Sequence, residues 1–115
     1  MAIPVMKPLL GEAEAAAVAE AVRGAGSVFH SASLISLSGV ASEALRARAH
    51  EVNVGGTQHV ISACRRHGVA RLVYTSTNNV ALAAHVLGGD ERAPYARAPF
   101  DLYTQTKIAA EQRVL

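Results

Sequence analysis

Arg71-Leu72-Val73-Tyr74-Thr75-Ser76 is a short run of β-forming residues that ends in hydroxyls, and what lies on either side of it decides the architecture. Before it, residues 44–67 place Leu45, Ala49, Val52, Gly56, Val60 and Ala63-Cys64 at three- and four-residue steps. That stretch stops at Gly68, the pattern of a helix closed by glycine. Earlier still, Gly26 opens Ser27-Val28-Phe29-His30, too brief for a helix and followed by the small residues Ser31-Ala32-Ser33. The spacing predicts a buried strand running into a tight turn. Residues 12–23, rich in alanine and glutamate and punctuated by Gly24 and Gly26, predict a helix ahead of that strand. Residues 34–42 read as a loop, as do residues 84–101 with Gly88-Gly89-Asp90, Pro94 and Pro99. Residues 102–115 predict a last helix. Strand, helix, strand, helix implies a right-handed βαβ unit and an α/β fold: a partial parallel sheet with flanking helices. Such sheets bind ligands at the carboxyl ends of their strands, which for the second strand means the hydroxyl residues Thr75 and Ser76.

Composition excludes several roles. At 115 residues, 50% hydrophobic and 17% charged, the chain is a single globular domain or a piece of one. The formal charge of +2 is scattered, with Arg65-Arg66 the adjacent basic pair, so a nucleic-acid partner is not expected. The single cysteine, Cys64, cannot close an intramolecular disulfide and is expected to pack as a small apolar residue. Pro4, Lys7 and Pro8 interrupt the amino terminus, so no secretion signal is read there. The apolar window from Val80 to Leu87 contains His85 and is far short of a membrane span. A soluble, cytoplasmic chain is expected, although a longer parent could be membrane-associated. His30, His50, His59, His67 and His85 show no metal-ligand spacing, and no metal site is expected. Asp90 and Glu91 read as solvated turn residues.

The chemistry concentrates at Tyr103-Thr104-Gln105-Thr106-Lys107, a tyrosine and a lysine four apart on the last helix. Positions i and i+4 share a helix face, so the ammonium comes close to the phenol and favours phenolate. A tyrosine so tuned can exchange a proton with a hydroxyl or carbonyl. Thr75-Ser76-Thr77 would bring hydroxyls from the strand end. The plain alternatives are a packed tyrosine with a snorkelling lysine, and strand-end residues that cap local backbone groups.

Four further stretches stand in register with that pair: Val52-Asn53-Val54-Gly55-Gly56-Thr57, Arg71 to Val80, Gly89-Asp90-Glu91 with Pro94-Tyr95, and Ala110-Glu111-Gln112. In order and spacing they resemble the 3β-hydroxysteroid dehydrogenase branch of the extended short-chain dehydrogenase/reductases, from about Gly24 to the end. The resemblance implies a Rossmann-like domain, of which residues 1–115 would be the middle portion, an NAD or NADP cofactor, and a steroid or sterol substrate. It implies Tyr103 as acid/base, Lys107 as the residue that tunes it and holds the nicotinamide ribose, and Thr77 or else Ser76 as the hydroxyl meeting the substrate oxygen. Ala32, Ser33 and Thr75 become candidate cofactor contacts, and Asn53 a helix asparagine that is either structural or part of a proton relay. Glu12 or Glu14 stands near where the family has an aspartate against the adenine.

The sequence departs from that family in lacking the Gly-x-x-Gly-x-x-Gly turn that meets the pyrophosphate, and it stops eight residues after Lys107, before the usual substrate domain. It therefore reads as a fragment, expected to be inactive alone. Two rivals follow: a catalytically silent remnant that binds protein partners, and a relative of nucleotide-sugar epimerases or flavonoid reductases. Without the strand that would flank Ser27 to Ser33, that edge is a template for self-association, and marginal stability or aggregation is expected. A sharp, reversible thermal transition of a monomer would refute this.

Overall fold

A computed structural model describes residues 11–36, 40–81 and 87–115. Pro4, Lys7, Pro8, the middle of the 34–42 loop and His85 lie outside the described residues. Helix α1 (Glu12–Val22) leads to strand β1 (Ser27–His30). Then come α2 (Glu43–Ala49), a π-helical turn (His50–Gly55) and α3 (Gly56–Arg66), continuous with one another. Strand β2 (Arg71–Tyr74), a 3-10 turn (Asn78–Ala81) and α4 (Leu102–Val114) complete the order.

The strands pair in parallel, Ser27 opposite Arg71 through His30 opposite Tyr74, as the strand-helix-strand order implies. The ladder is two strands wide among the described residues. Alternation puts Val28, His30, Leu72 and Tyr74 on one face, and the helices cover that face. Val28 and Leu72 pack beneath a cluster of Val18, Val22, Val60, Ala63 and Cys64 from α1 and α3, so Cys64 is the buried apolar residue its isolation suggests. The end of α3 fixes where β2 begins: Val69 N–H reaches Cys64 O at 2.9 Å and Gly68 N–H reaches Arg65 O, with Gly68 at φ +63°. This is the paired closure that a left-handed glycine permits, and Val69 folds back on the Cys64 cluster.

The opposite face carries Phe29 and Val73, which are 69% and 45% exposed. The expectation of a fully buried β1 is thereby corrected: along Ser27–His30 the final residue alone is buried, because no layer covers the second face among the described residues. Strand β2 ends at Tyr74, two residues before the sequence reading placed it; Thr75 N–H still reaches His30 O at 3.0 Å, and the Thr75 carbonyl turns to Lys107. The long helix of residues 44–67 is interrupted by the π turn, which carries Asn53 and Val54 into the interior. Among the described residues no helix is long and apolar enough to cross a membrane.

Candidate functional site

Helix α4 is set in place by its own first residues. Asp101 caps it, accepting from Thr104 N–H at 2.7 Å and from the Thr104 hydroxyl at 2.8 Å. Tyr103 thus falls in the first turn, and its N–H donates to Ser36 O at 3.2 Å, tying α4 to the segment after β1. One turn on, Lys107 is 2% exposed. Its ammonium donates to Thr75 O at 2.5 Å and lies 4.1 Å from the centre of the Tyr74 ring. Burial pushes the Lys107 pKa down, and the Glu111 carboxylate opposes that shift. The Tyr74 hydroxyl is pushed up to about 12 by burial first and then by Glu111 and Tyr103.

The two strand-end hydroxyls differ in use. Ser76 donates to Glu111 Oε2, while Thr77 Oγ1 accepts from Asn79 N–H at 3.3 Å and so keeps a proton to donate. Glu111 Oε1 accepts from the Tyr95 hydroxyl at 3.1 Å. The carboxylate thus joins the strand end, the 87–101 segment and α4. Sequence reasoning missed Glu111, Tyr74 and Tyr95 as members of this cluster. Positions 103, 107 and 111, spaced by four, carried a signal for the first of them.

Behind the site lies a buried polar network centred on Asn53. Its Oδ1 accepts from Leu34 N–H at 2.7 Å and from the Ser33 hydroxyl at 3.2 Å. Its Nδ2 donates to Leu34 O at 2.9 Å and Thr106 Oγ1 at 2.8 Å. Two lone pairs and two N–H groups are all an amide offers, so Asn53 has none left for a relayed proton. The amide holds the turn after β1 against α4. Ser33 spends its hydroxyl proton there, and Ala32 is exposed at the same turn.

One layer deeper, the Thr57 hydroxyl donates to Asn53 O at 2.6 Å, so it accepts from His30 Nε2 at 2.8 Å. The hydroxyl has one proton and has spent it; His30 is therefore the Nε2–H tautomer. Burial, and next the Lys107 charge, hold its pKa down at about 4. An unfolded chain would take up a proton below about 6.5, which folded His30 refuses until about pH 4. Stability is accordingly expected to fall as pH drops through that window, by up to about 3 kcal/mol. Urea midpoints at pH 7 and pH 4.5 check this. His30→Gln, which keeps a donor but does not titrate, should show the shallower loss; an equal loss in both proteins would remove His30 as the cause.

Glu12 and Glu14 sit in the first turn of α1 beside α3, and Glu14 Oε2 is buried without a hydrogen-bond partner. Asp90 is solvated, as a turn residue should be, and Arg92 beside it holds its carboxyl low. No group of three potential metal ligands occurs among the described residues.

A parallel α/β sheet whose carboxyl end carries a tyrosine and a buried lysine one helical turn apart defines a protein of short-chain dehydrogenase/reductase type. A short-chain dehydrogenase/reductase superfamily protein from Agrobacterium tumefaciens, solved with bound NAD, matches 86% of this chain with a TM-score of 0.73 at 30% identity, over 29% of its own length. The sequence model of the 3-beta hydroxysteroid dehydrogenase/isomerase family matches residues 11–115, and the chain belongs to that family. It is 44% identical over 116 residues to the 3 beta-hydroxysteroid dehydrogenase/Delta 5-->4-isomerase of Mycobacterium tuberculosis, covering 97% of this chain and 31% of that protein. It is also 44% identical over 107 residues to the 2-alkyl-3-oxoalkanoate reductase of Stenotrophomonas maltophilia, covering 90% of this chain and 31% of that protein. The chain thus spans about a third of the length of these two relatives.

Proposed function

We propose that these residues are the nicotinamide-side portion of an NAD(P)-dependent dehydrogenase that moves a hydride between the cofactor and a secondary alcohol or ketone, with steroids or sterols as the substrate class. The observation that carries this reading is the buried Lys107 ammonium, held by Thr75 O and the Tyr74 ring one helical turn from Tyr103 at the open end of the sheet. Tyr103 is the acid/base, standing one helical turn before Lys107 on the same face of α4. Thr77 is the hydroxyl that meets the substrate oxygen, because the Ser76 hydroxyl already donates its hydrogen bond to Glu111.

The turn of Ala32 and Ser33 presents small side chains, which suits close approach of a nicotinamide dinucleotide. Lys107, with one donor spent on Thr75 O, has N–H groups left for the cofactor's ribose. Thr75 itself contributes through its backbone. The bound NAD of the Agrobacterium neighbour supports the cofactor class. When bound, the dinucleotide supplies or accepts the hydride; the chain's own residues orient it and move the proton.

For the substrate, the M. tuberculosis relative named for 3 beta-hydroxysteroids favours a steroid. The S. maltophilia relative, at the same identity, is named for a ketone of another kind, so the common chemistry is the carbinol carbon rather than the ring system. The test is isotope transfer in a protein containing these residues. Incubation with a 3-keto steroid and C4-deuterated NADH or NADPH should place deuterium on the carbinol carbon. Cofactor that stays fully deuterated, with no labelled alcohol, would sink the proposal.

A further inference from the structure

Glu111 is engaged from three directions. Its Oε2 accepts from Ser76, the residue between the Lys107 anchor at Thr75 and the Thr77 hydroxyl. Its Oε1 accepts from Tyr95 at 3.1 Å, fastening a segment that has no regular structure of its own. On α4 it stands one turn beyond Lys107, on the same face. A carboxylate only accepts, and each of its oxygens meets a donor here.

We propose that Glu111 is a positioning residue for this site: its carboxylate fastens the strand end at Ser76 and the Tyr95 segment to α4, and supplies the negative charge that faces the buried Lys107 ammonium. The assignment rests on the dehydrogenase reading above and adds to it a group that acts through Lys107 rather than on substrate. A buried ammonium with a carbonyl and an aromatic ring for company has lost most of its hydration, and a nearby carboxylate offsets that loss. The fastening has a second effect. Thr75 to Thr77 is a continuous three-residue segment, so its two contacts with α4 fix where the Thr77 hydroxyl stands relative to Tyr103.

The sequence makes the test simple, because the chain has two lysines, Lys7 and Lys107. With 13C-lysine labelling each gives its own Cε resonance, assigned through Lys7→Arg. The charged and titratable groups that face Lys107 are Glu111, Tyr74 and His30, with Tyr103 one turn earlier on the same face of α4. In Glu111→Gln the Lys107 titration midpoint is expected to move to lower pH while the Lys7 midpoint stays in place. Glu111→Asp should return the Lys107 midpoint toward that of the unsubstituted chain. Ser76→Ala, which loses the fastening but keeps the charge, should leave it unmoved. An unchanged Lys107 midpoint in Glu111→Gln would overturn the proposal, as would loss of the folded spectrum in that isosteric variant, which would make the contact a structural one. In a protein showing the proposed turnover, Glu111→Gln should lower kcat about tenfold with the dinucleotide KM unchanged. Should the unsubstituted protein show no turnover, the dehydrogenase reading fails, and the lysine titration still decides the place of Glu111.

Discussion

Asn53→Leu is expected to unfold this domain or bring it to the edge of unfolding. The side chain is 2% exposed and joins three segments: the turn after β1 through Leu34 and Ser33, the π turn that carries it, and α4 through Thr106. Leucine is close in size but offers no polar atom. The substitution strands a backbone N–H, a backbone C=O and the Ser33 hydroxyl in part-buried positions, each costing about 1–3 kcal/mol less whatever water can recover, while the Thr106 hydroxyl loses one donor and keeps its own bond to Leu102 O. A loss of about 3–5 kcal/mol is large against the ~5–15 kcal/mol that holds a typical domain folded. Ser33→Ala removes one donor and leaves Oδ1 its bond from Leu34 N–H, so about 1 kcal/mol is expected. Urea unfolding followed by circular dichroism measures both. An Asn53→Leu midpoint within error of the unsubstituted chain would show that the network is ornamental.

The same residue shows what was legible in the sequence and why the rest was not. Asn53 could be placed on a helix because the apolar steps on either side, from Leu45 to Cys64, follow helical spacing. The π turn around it could not, since one widened turn leaves those steps nearly intact while changing which residues face inward. Strand β1 was readable to the residue from Gly26 and the small residues after it. Its burial was not, because alternation says which residues share a face and nothing about whether a second layer covers Phe29. Tyr103 and Lys107 were legible as neighbours through local geometry alone. The anchors of Lys107 at Thr75 and Tyr74, and of Glu111 at Ser76 and Tyr95, join residues 16 to 35 apart, and no periodic pattern encodes how a loop docks on a helix.

The uneven legibility of the site separates what holds it from what acts in it, and Tyr103→Phe tests the second part alone. The hydroxyl it deletes belongs to a half-buried ring in the first turn of α4, a turn held by the Asp101 cap and by backbone bonds that phenylalanine also makes. Lys107 keeps its contacts with Thr75 O and the Tyr74 ring, because neither involves the Tyr103 hydroxyl. Fold and dinucleotide affinity are therefore expected to persist. Without the phenol no positioned acid meets the substrate oxygen at the moment of hydride transfer: the Thr77 hydroxyl can donate a hydrogen bond but is too weak an acid to yield its proton, and the Lys107 ammonium is held on Thr75 O and, in this reading, on the ribose. In a protein that shows the proposed turnover, kcat should fall about a thousandfold, within the range a positioned acid/base contributes, with KM for the dinucleotide little changed. Lys107→Met should instead impair both, since the same ammonium would orient the phenol and hold the ribose. Steady-state kinetics with dinucleotide titrations of both variants separate the two roles. Turnover by Tyr103→Phe within tenfold of the unsubstituted enzyme would move the acid/base function to another group, and Tyr74, with its hydroxyl raised to about 12, is a poor alternative because so weak an acid gives up its proton reluctantly near neutral pH.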